Sequence, residues 1–187
     1  MATKFIGGGI LSSVEPSRAQ RCFLSDLHKG VAGFLLTGDV AYFVYLGRVV
    51  VPLTPKYVEF YVHTAGVGAQ TAEVGFFSTP LAPNKANQVL TKLVSTGTIG
   101  DLTGTGIIRN TAAFATAIAI GTHLWAGIRT DMATTEPTIT GLINSMSHGQ
   151  ILSTAAAGAL TGAGPWTGVV IAAALTEACP DLRGTLD

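Results

Sequence analysis

Charge is the scarcest property of this chain. Of its 187 residues, 11 are Lys or Arg and 11 are Asp or Glu, so 12% are charged and the net charge is zero. An ordinary soluble domain carries about 25%. Free monomers usually keep their net charge away from zero, because neutrality promotes association. The scarcity therefore points to a subunit whose surface is taken up by neighbours. It also leaves few groups to do chemistry, so the sequence predicts a protein that is not an enzyme. There is no basic run and no excess of positive charge to neutralise phosphates, so nucleic acid is not an expected partner.

Cysteine is nearly absent too. Cys22 and Cys179 lie near opposite ends of the chain. Spacing alone does not place them within bonding distance, and packing thiols are the simpler reading. No CxxC and no His/Cys cluster at zinc spacing occurs, so no metal is expected. Long hydrophobic runs are also missing. The opening Met1-Ala-Thr-Lys-Phe-Ile-Gly-Gly-Gly-Ile-Leu is too short and too glycine-broken for a secretory signal. Between Glu136 and Glu177 no Asp, Glu, Lys or Arg occurs, yet Asn144, His148, Gln150 and Pro165 interrupt the stretch. A spanning helix needs about 20 predominantly apolar residues, so no membrane partner is expected.

Catalytic and cofactor motifs are absent as well. Gly100-Asp-Leu-Thr-Gly-Thr-Gly106 lacks the Gly-Lys-Ser/Thr ending of a phosphate loop, and it reads as a polar turn. No Gly-x-Ser-x-Gly elbow is present, and the serines are scattered. Any carboxylate pair for glycoside cleavage would be an arbitrary choice among Glu59, Glu73, Asp101, Asp131 and Glu136. Cofactors are therefore expected to be none. Of the four histidines, His63 and His123 fall at outward strand positions and would meet on one sheet. The simpler reading gives them polar contacts at a subunit interface, where a protonatable ring makes assembly pH-sensitive.

What the chain does have is period-two alternation. Ile118 to Arg129 reads as one strand, with Ile118, Ile120, Leu124, Ala126 and Ile128 on one face and Ala119, His123, Trp125 and Arg129 on the other. Val58, Phe60 and Val62 point inward against Tyr57, Glu59, Tyr61 and His63. Ala72, Val74 and Phe76 repeat the pattern around Glu73, and Val169, Ile171, Ala173 and Leu175 give another strand. Ala41 to Val51 is apolar on both faces, as in a strand covered on both sides. Shorter strands are expected at 89–95, 106–110, 138–142 and 150–154, with Gly, Pro, Asn and Thr turns between them. Eight to ten short strands argue an all-β fold: an antiparallel two-sheet sandwich, jelly-roll-like, with an immunoglobulin-like sandwich as the alternative.

Residues 1–38 lack this alternation and read as an extended N-terminal arm; residues 39–187 read as the sandwich body. Fully extended, 38 residues reach on the order of 125 Å, enough to cross onto a neighbour. Residues 17–28 carry the makings of a short helix. Phe5, Ile6, Ile10 and Leu11 are the arm's apolar contact candidates. On the body the candidates are the aromatics Tyr57, Tyr61, Trp125 and Trp166, the first three on outward positions. Such rings either fill a subunit interface, where Tyr and Trp are enriched, or stack on a sugar.

Ala65-Gly-Val-Gly-Ala-Gln-Thr-Ala-Glu-Val-Gly-Phe-Phe-Ser-Thr-Pro80, Arg109-Asn110, Gly121-Thr-His-Leu-Trp-Ala-Gly-Ile-Arg-Thr130, Gln150-Ile-Leu-Ser-Thr-Ala155 and Ala178-Cys-Pro-Asp-Leu-Arg183 together resemble the β-rich virion proteins of tailed bacteriophages. The resemblance covers roughly residues 40 to 183 and leaves out the arm. It implies a structural protein of the phage particle, made in the bacterial host cytoplasm, most naturally a capsid decoration (cement) protein. Its partners would be copies of itself, as a homo-oligomer with a trimer favoured, and the major capsid protein or other virion proteins. The alternatives are a tail-fibre, head-fibre or sugar-binding recognition domain, and a tail or baseplate adaptor.

Overall fold

The computed structural model describes residues 2–4, 12–14, 33–68, 70–80, 88–96, 99, 102–132, 134–142, 151–154, 159–171 and 179–185. Every regular element among them is a β-strand. In chain order these are β1 (Ala2–Lys4), β2 (Ser12–Val14), β3 (Gly33–Leu35), β4 (Ala41–Arg48), β5 (Tyr57–Thr64), β6 (Gln70–Thr79) and β7 (Gln88–Thr96). They continue with β8 (Gly106–Arg109), β9 (His123–Met132), β10 (Thr138–Leu142), β11 (Ile151–Thr154), β12 (Trp166–Ile171), β13 (Cys179–Pro180) and β14 (Arg183–Thr185). No helix among the described residues is long and apolar enough to cross a membrane.

The strands form the antiparallel two-sheet sandwich that the alternation predicts. In the first sheet β5 is central. It pairs with β8 along one side, and with β14 and β10 along the other. β10 pairs in turn with β3 and β13. The second sheet runs β11–β12–β7–β6–β9–β4, and β4 pairs back to β11, so it closes into a six-stranded barrel. Among the described residues β1 and β2 pair only with each other.

Two cores result, one on each face of the wall β4–β9–β6. Between the sheets lie Val44, Leu46, Val74, Phe76, Leu124, Ala126 and Ile128 from the barrel wall and Val58, Phe60, Val62 and Ile139 from the first sheet. Each of these Val, Leu, Ile and Phe side chains contributes about 1.5–3 kcal/mol when taken out of water. Inside the barrel, Ala41, Phe43, Phe77, Leu90, Trp125, Leu160 and Trp166 make a separate cluster. β4 thus serves both cores, which explains its apolar residues on both faces.

The barrel interior is aromatic, and Gly127 makes room for it. A Cβ there would lie 2.7 Å from Phe77 and 2.8 Å from Phe43. The two phenyl rings meet edge to face at 4.9 Å, and Trp166 meets Phe77 in the same way at 5.2 Å. The Trp125 indole N–H donates to Thr79 Oγ1 at 3.1 Å, so the buried ring leaves no polar atom unmet. The turn before β12 is fastened to the barrel by charge. Glu73 accepts from the Leu160 amide and the Thr161 hydroxyl, and Lys92 donates to the Thr161 and Gly162 carbonyls.

Some expectations change. The period-two run from Ile118 does not form one strand. Gly121 adopts φ +91°, a left-handed conformation that suits glycine, and β9 begins only at His123. Ile118 instead bridges to Leu53 and packs in the core, whereas Ile120 is 61% exposed. Residues 33–36, expected in the arm, belong to the body: β3 pairs with β10 and Leu36 is fully buried. The expected helix at 17–28 and the docking candidates Phe5, Ile6, Ile10 and Leu11 lie outside the described residues, as do Cys22 and the side chain of Cys179.

Candidate contact face

The first sheet has one face on the core and one turned away from the barrel. On β5, Val58, Phe60 and Val62 take the core side, which leaves Tyr57, Glu59, Tyr61 and His63 on the other. The register across the sheet then decides their neighbours, because residues directly opposite share a face. Tyr61 faces Ile107 on β8. Glu59 faces Arg109 on β8 and Arg183 on β14. Tyr57 faces Thr185 on β14. On β10 the core side belongs to Ile139, so Thr138 and Thr140 join the outer face, and Leu35 on β3 lies opposite Thr138.

This face carries Glu59, Arg109 and Arg183, with Asp181 beside them. The Arg109 guanidinium lies 4.3 Å from the centroid of the Tyr57 ring, a cation–π distance. Arg183 grips Asp181 with two hydrogen bonds, Nε to Oδ1 at 2.8 Å and Nη2 to Oδ2. Tyr61 and His63 meet edge to face at 5.2 Å. Asn110, fully buried at the end of β8, accepts from the Val58 amide at 2.8 Å and donates to the carbonyls of Lys56 and Ala112, which fixes β8 against β5.

Apolar groups flank the charges. Leu35 is 51% exposed and Ile107 53% exposed. Toward the middle, Glu59, Asp181, Arg183, Thr140 and Thr185 are buried. The hydroxyls of Thr140 and Thr185 and Nε2 of His63 are buried without a hydrogen-bond partner. A buried polar atom left in this way costs about 1–3 kcal/mol, so this face is less well satisfied than the barrel interior.

Two of the predicted contact residues are elsewhere. Trp125 is fully buried and Trp166 is 6% exposed, both inside the barrel, so neither presents an outward ring. The face opposite Leu124, Ala126 and Ile128 looked outward because one strand shows only its own alternation. In the structure that face is the barrel interior. Tyr57 and Tyr61 do lie together on the first sheet. Their neighbours Ile107, Leu35, Arg109 and Arg183 escaped the sequence reading, because only strand register brings them together.

The two histidines do not meet. His63 belongs to β5 of the first sheet and His123 to β9 of the barrel. His123 Nδ1 and the Tyr45 hydroxyl are 2.9 Å apart. Burial, and then the neighbouring positive charge of Arg48, lower the imidazole below its ordinary value. Burial raises the Tyr45 phenol, against the opposing pull of Arg48. The carboxylates that might have formed a pair are dispersed as well. Glu73 holds the turn at Leu160, Glu136 accepts from the Gly38 amide at 2.6 Å, and Glu59 sits on the outer face. Among the described residues no group of three or more His, Cys, Asp or Glu side chains is placed to hold a metal ion.

Comparison with protein-family models, with curated proteins and with solved structures finds no match.

Proposed function

We propose that this chain is a non-enzymatic structural subunit, a capsid decoration (cement) protein of a tailed-phage particle that acts by packing against its own copies and the major capsid protein. One observation carries the reading. The outer face of the first sheet sets Tyr57, Tyr61, Ile107 and Leu35 around Arg109, a composition of rings, aliphatics and Arg typical of interface centres. The low, balanced charge of the whole chain supports it. A tail or baseplate adaptor would use the same face at another place on the particle.

The test is binding to undecorated capsids. The double variant Tyr57→Ala, Tyr61→Ala is expected to keep its fold and to lose at least roughly tenfold in affinity, since interface tyrosines commonly contribute more than about 1 kcal/mol each. Undiminished decoration removes this face from the reading. The recognition alternative has lost Trp125 to the barrel interior and retains only the two tyrosines. Saturable glycan binding abolished by the same double variant would favour it over packing.

A further inference from the structure

We propose that β8 is a pairing edge, and that two copies of this chain join through it, antiparallel, about a two-fold axis at Ile107. The inference deepens the assembly reading above by naming the partner of one margin of the sheet. Among the described residues, β8 has a single strand neighbour, β5. The flanking residues 103–105 and 111–113 are exposed. A Cβ placed on Gly104 or Gly106 would meet nothing within 4 Å. The margin is therefore open to another backbone.

Edges of natural sheets are commonly guarded by Lys, Pro, a bulge or a covering segment. β8 reads Gly106-Ile107-Ile108-Arg109, and its one charge leans over the Tyr57 ring. Among the described residues no strand pairs with the outward row of its backbone groups, which fits an extended strand as its occupant.

The sequence of β8 is complementary to itself. Directly opposed residues must share a face, so a two-fold pairing has to centre on a residue and not between two. Centred on Ile107, it sets Ile107 against Ile107 of the second copy on the outer face. Gly106 then opposes Ile108 on the core side, where the missing side chain leaves space. Arg109 opposes Thr105, an acceptor hydroxyl, and the two guanidiniums sit at opposite ends. On each copy Tyr61 already lies beside Ile107. Pairing therefore creates a continuous Tyr–Ile–Ile–Tyr row across both sheets and covers an isoleucine that is otherwise 53% exposed. Neutral chains add no overall repulsion.

Directly opposed residues of an antiparallel pair have Cα atoms about 4.5–5.5 Å apart, within disulfide range. In a Cys22→Ser, Cys179→Ser background with unchanged β-sheet circular dichroism, Ile107→Cys is expected to form a disulfide-linked dimer on mild oxidation. Ile120→Cys, 61% exposed and outside β8, is expected to remain monomeric on the non-reducing gel. Sedimentation of the full chain should show self-association, weakened at least tenfold by Ile107→Lys. A parent that stays monomeric, self-association indifferent to Ile107→Lys, or equal cross-linking at both positions would overturn the pairing. Leu35→Lys, on β3 across the sheet from β8, separates the two ideas: it is expected to weaken capsid binding and to leave self-association through β8 unchanged. A failed β8 pairing leaves the assembly reading standing, whereas undiminished capsid binding in the tyrosine double variant strikes only the assembly reading.

Discussion

The barrel interior and the outer face of the first sheet both collect aromatic residues, and they treat them in opposite ways. In the barrel, Phe43, Phe77, Trp125 and Trp166 close on one another around a glycine, and the indole N–H of Trp125 has its acceptor. On the outer face, Tyr57 and Tyr61 stay partly exposed beside an arginine and a histidine, and three polar atoms nearby are buried without partners. Rings packed on rings with their polar atoms met stabilise a fold. Rings beside open aliphatics and unmet polar groups belong to a surface with room for a further partner. Residue type alone does not separate the two; what covers the second face of the strand does.

The contrast is most severely tested at Trp125. Trp125→Ala empties the centre of the barrel and is expected to cost about 3–5 kcal/mol, read as a large fall in the midpoint of denaturant unfolding. A loss near zero would mean that the barrel interior is not a core at all. Gly127→Val comes next. Its side chain would collide with Phe43 and Phe77, and a cost of about 1–3 kcal/mol is expected, again from unfolding midpoints. A neutral Gly127→Val would show the rings to be loosely packed.

The smallest effect is expected at the barrel end, where His123 meets Tyr45. The folded imidazole titrates below its unfolded value, so the unfolded chain binds the proton more readily. The contribution of His123 is therefore complete above about pH 6.5 and is lost as pH falls through the folded pKa. Thermal midpoints measured between about pH 7 and 5 should fall less steeply in His123→Gln than in the parent. Equal slopes would remove His123 as the cause.

Much of the fold was legible from alternation. Val58, Phe60 and Val62, then Ala72, Val74 and Phe76, point to the core as their spacing predicts, and β10 spans 138–142 as expected. The double-sided apolar character of 41–48 was the one signal for a second core. β4 pairs with β9, Tyr45 opposite Trp125, so the neighbour of a strand covered on both faces is covered too. The sequence could not supply that pairing, because register between distant strands is settled by tertiary packing. Gly121 was illegible for a different reason: it falls on an alternating position, and its backbone turn leaves no mark on hydrophobic period. Of the contact face, the two tyrosines were legible on β5, but Ile107, Leu35 and the arginines come from other strands and only register assembles them.

The few charges of this chain have a kinetic consequence. Glu73 and Lys92 hold a turn, Arg183 holds Asp181, and Arg129 holds Asp39, so these six charged side chains have partners within the chain. A net charge of zero also leaves little to project a long-range field. Encounters between copies would then proceed without electrostatic steering, at the rate of neutral proteins, about 10⁵–10⁶ M⁻¹s⁻¹, and would be almost unaffected by the salt of the surroundings. Slow dissociation, rather than fast capture, would have to keep such a subunit in place.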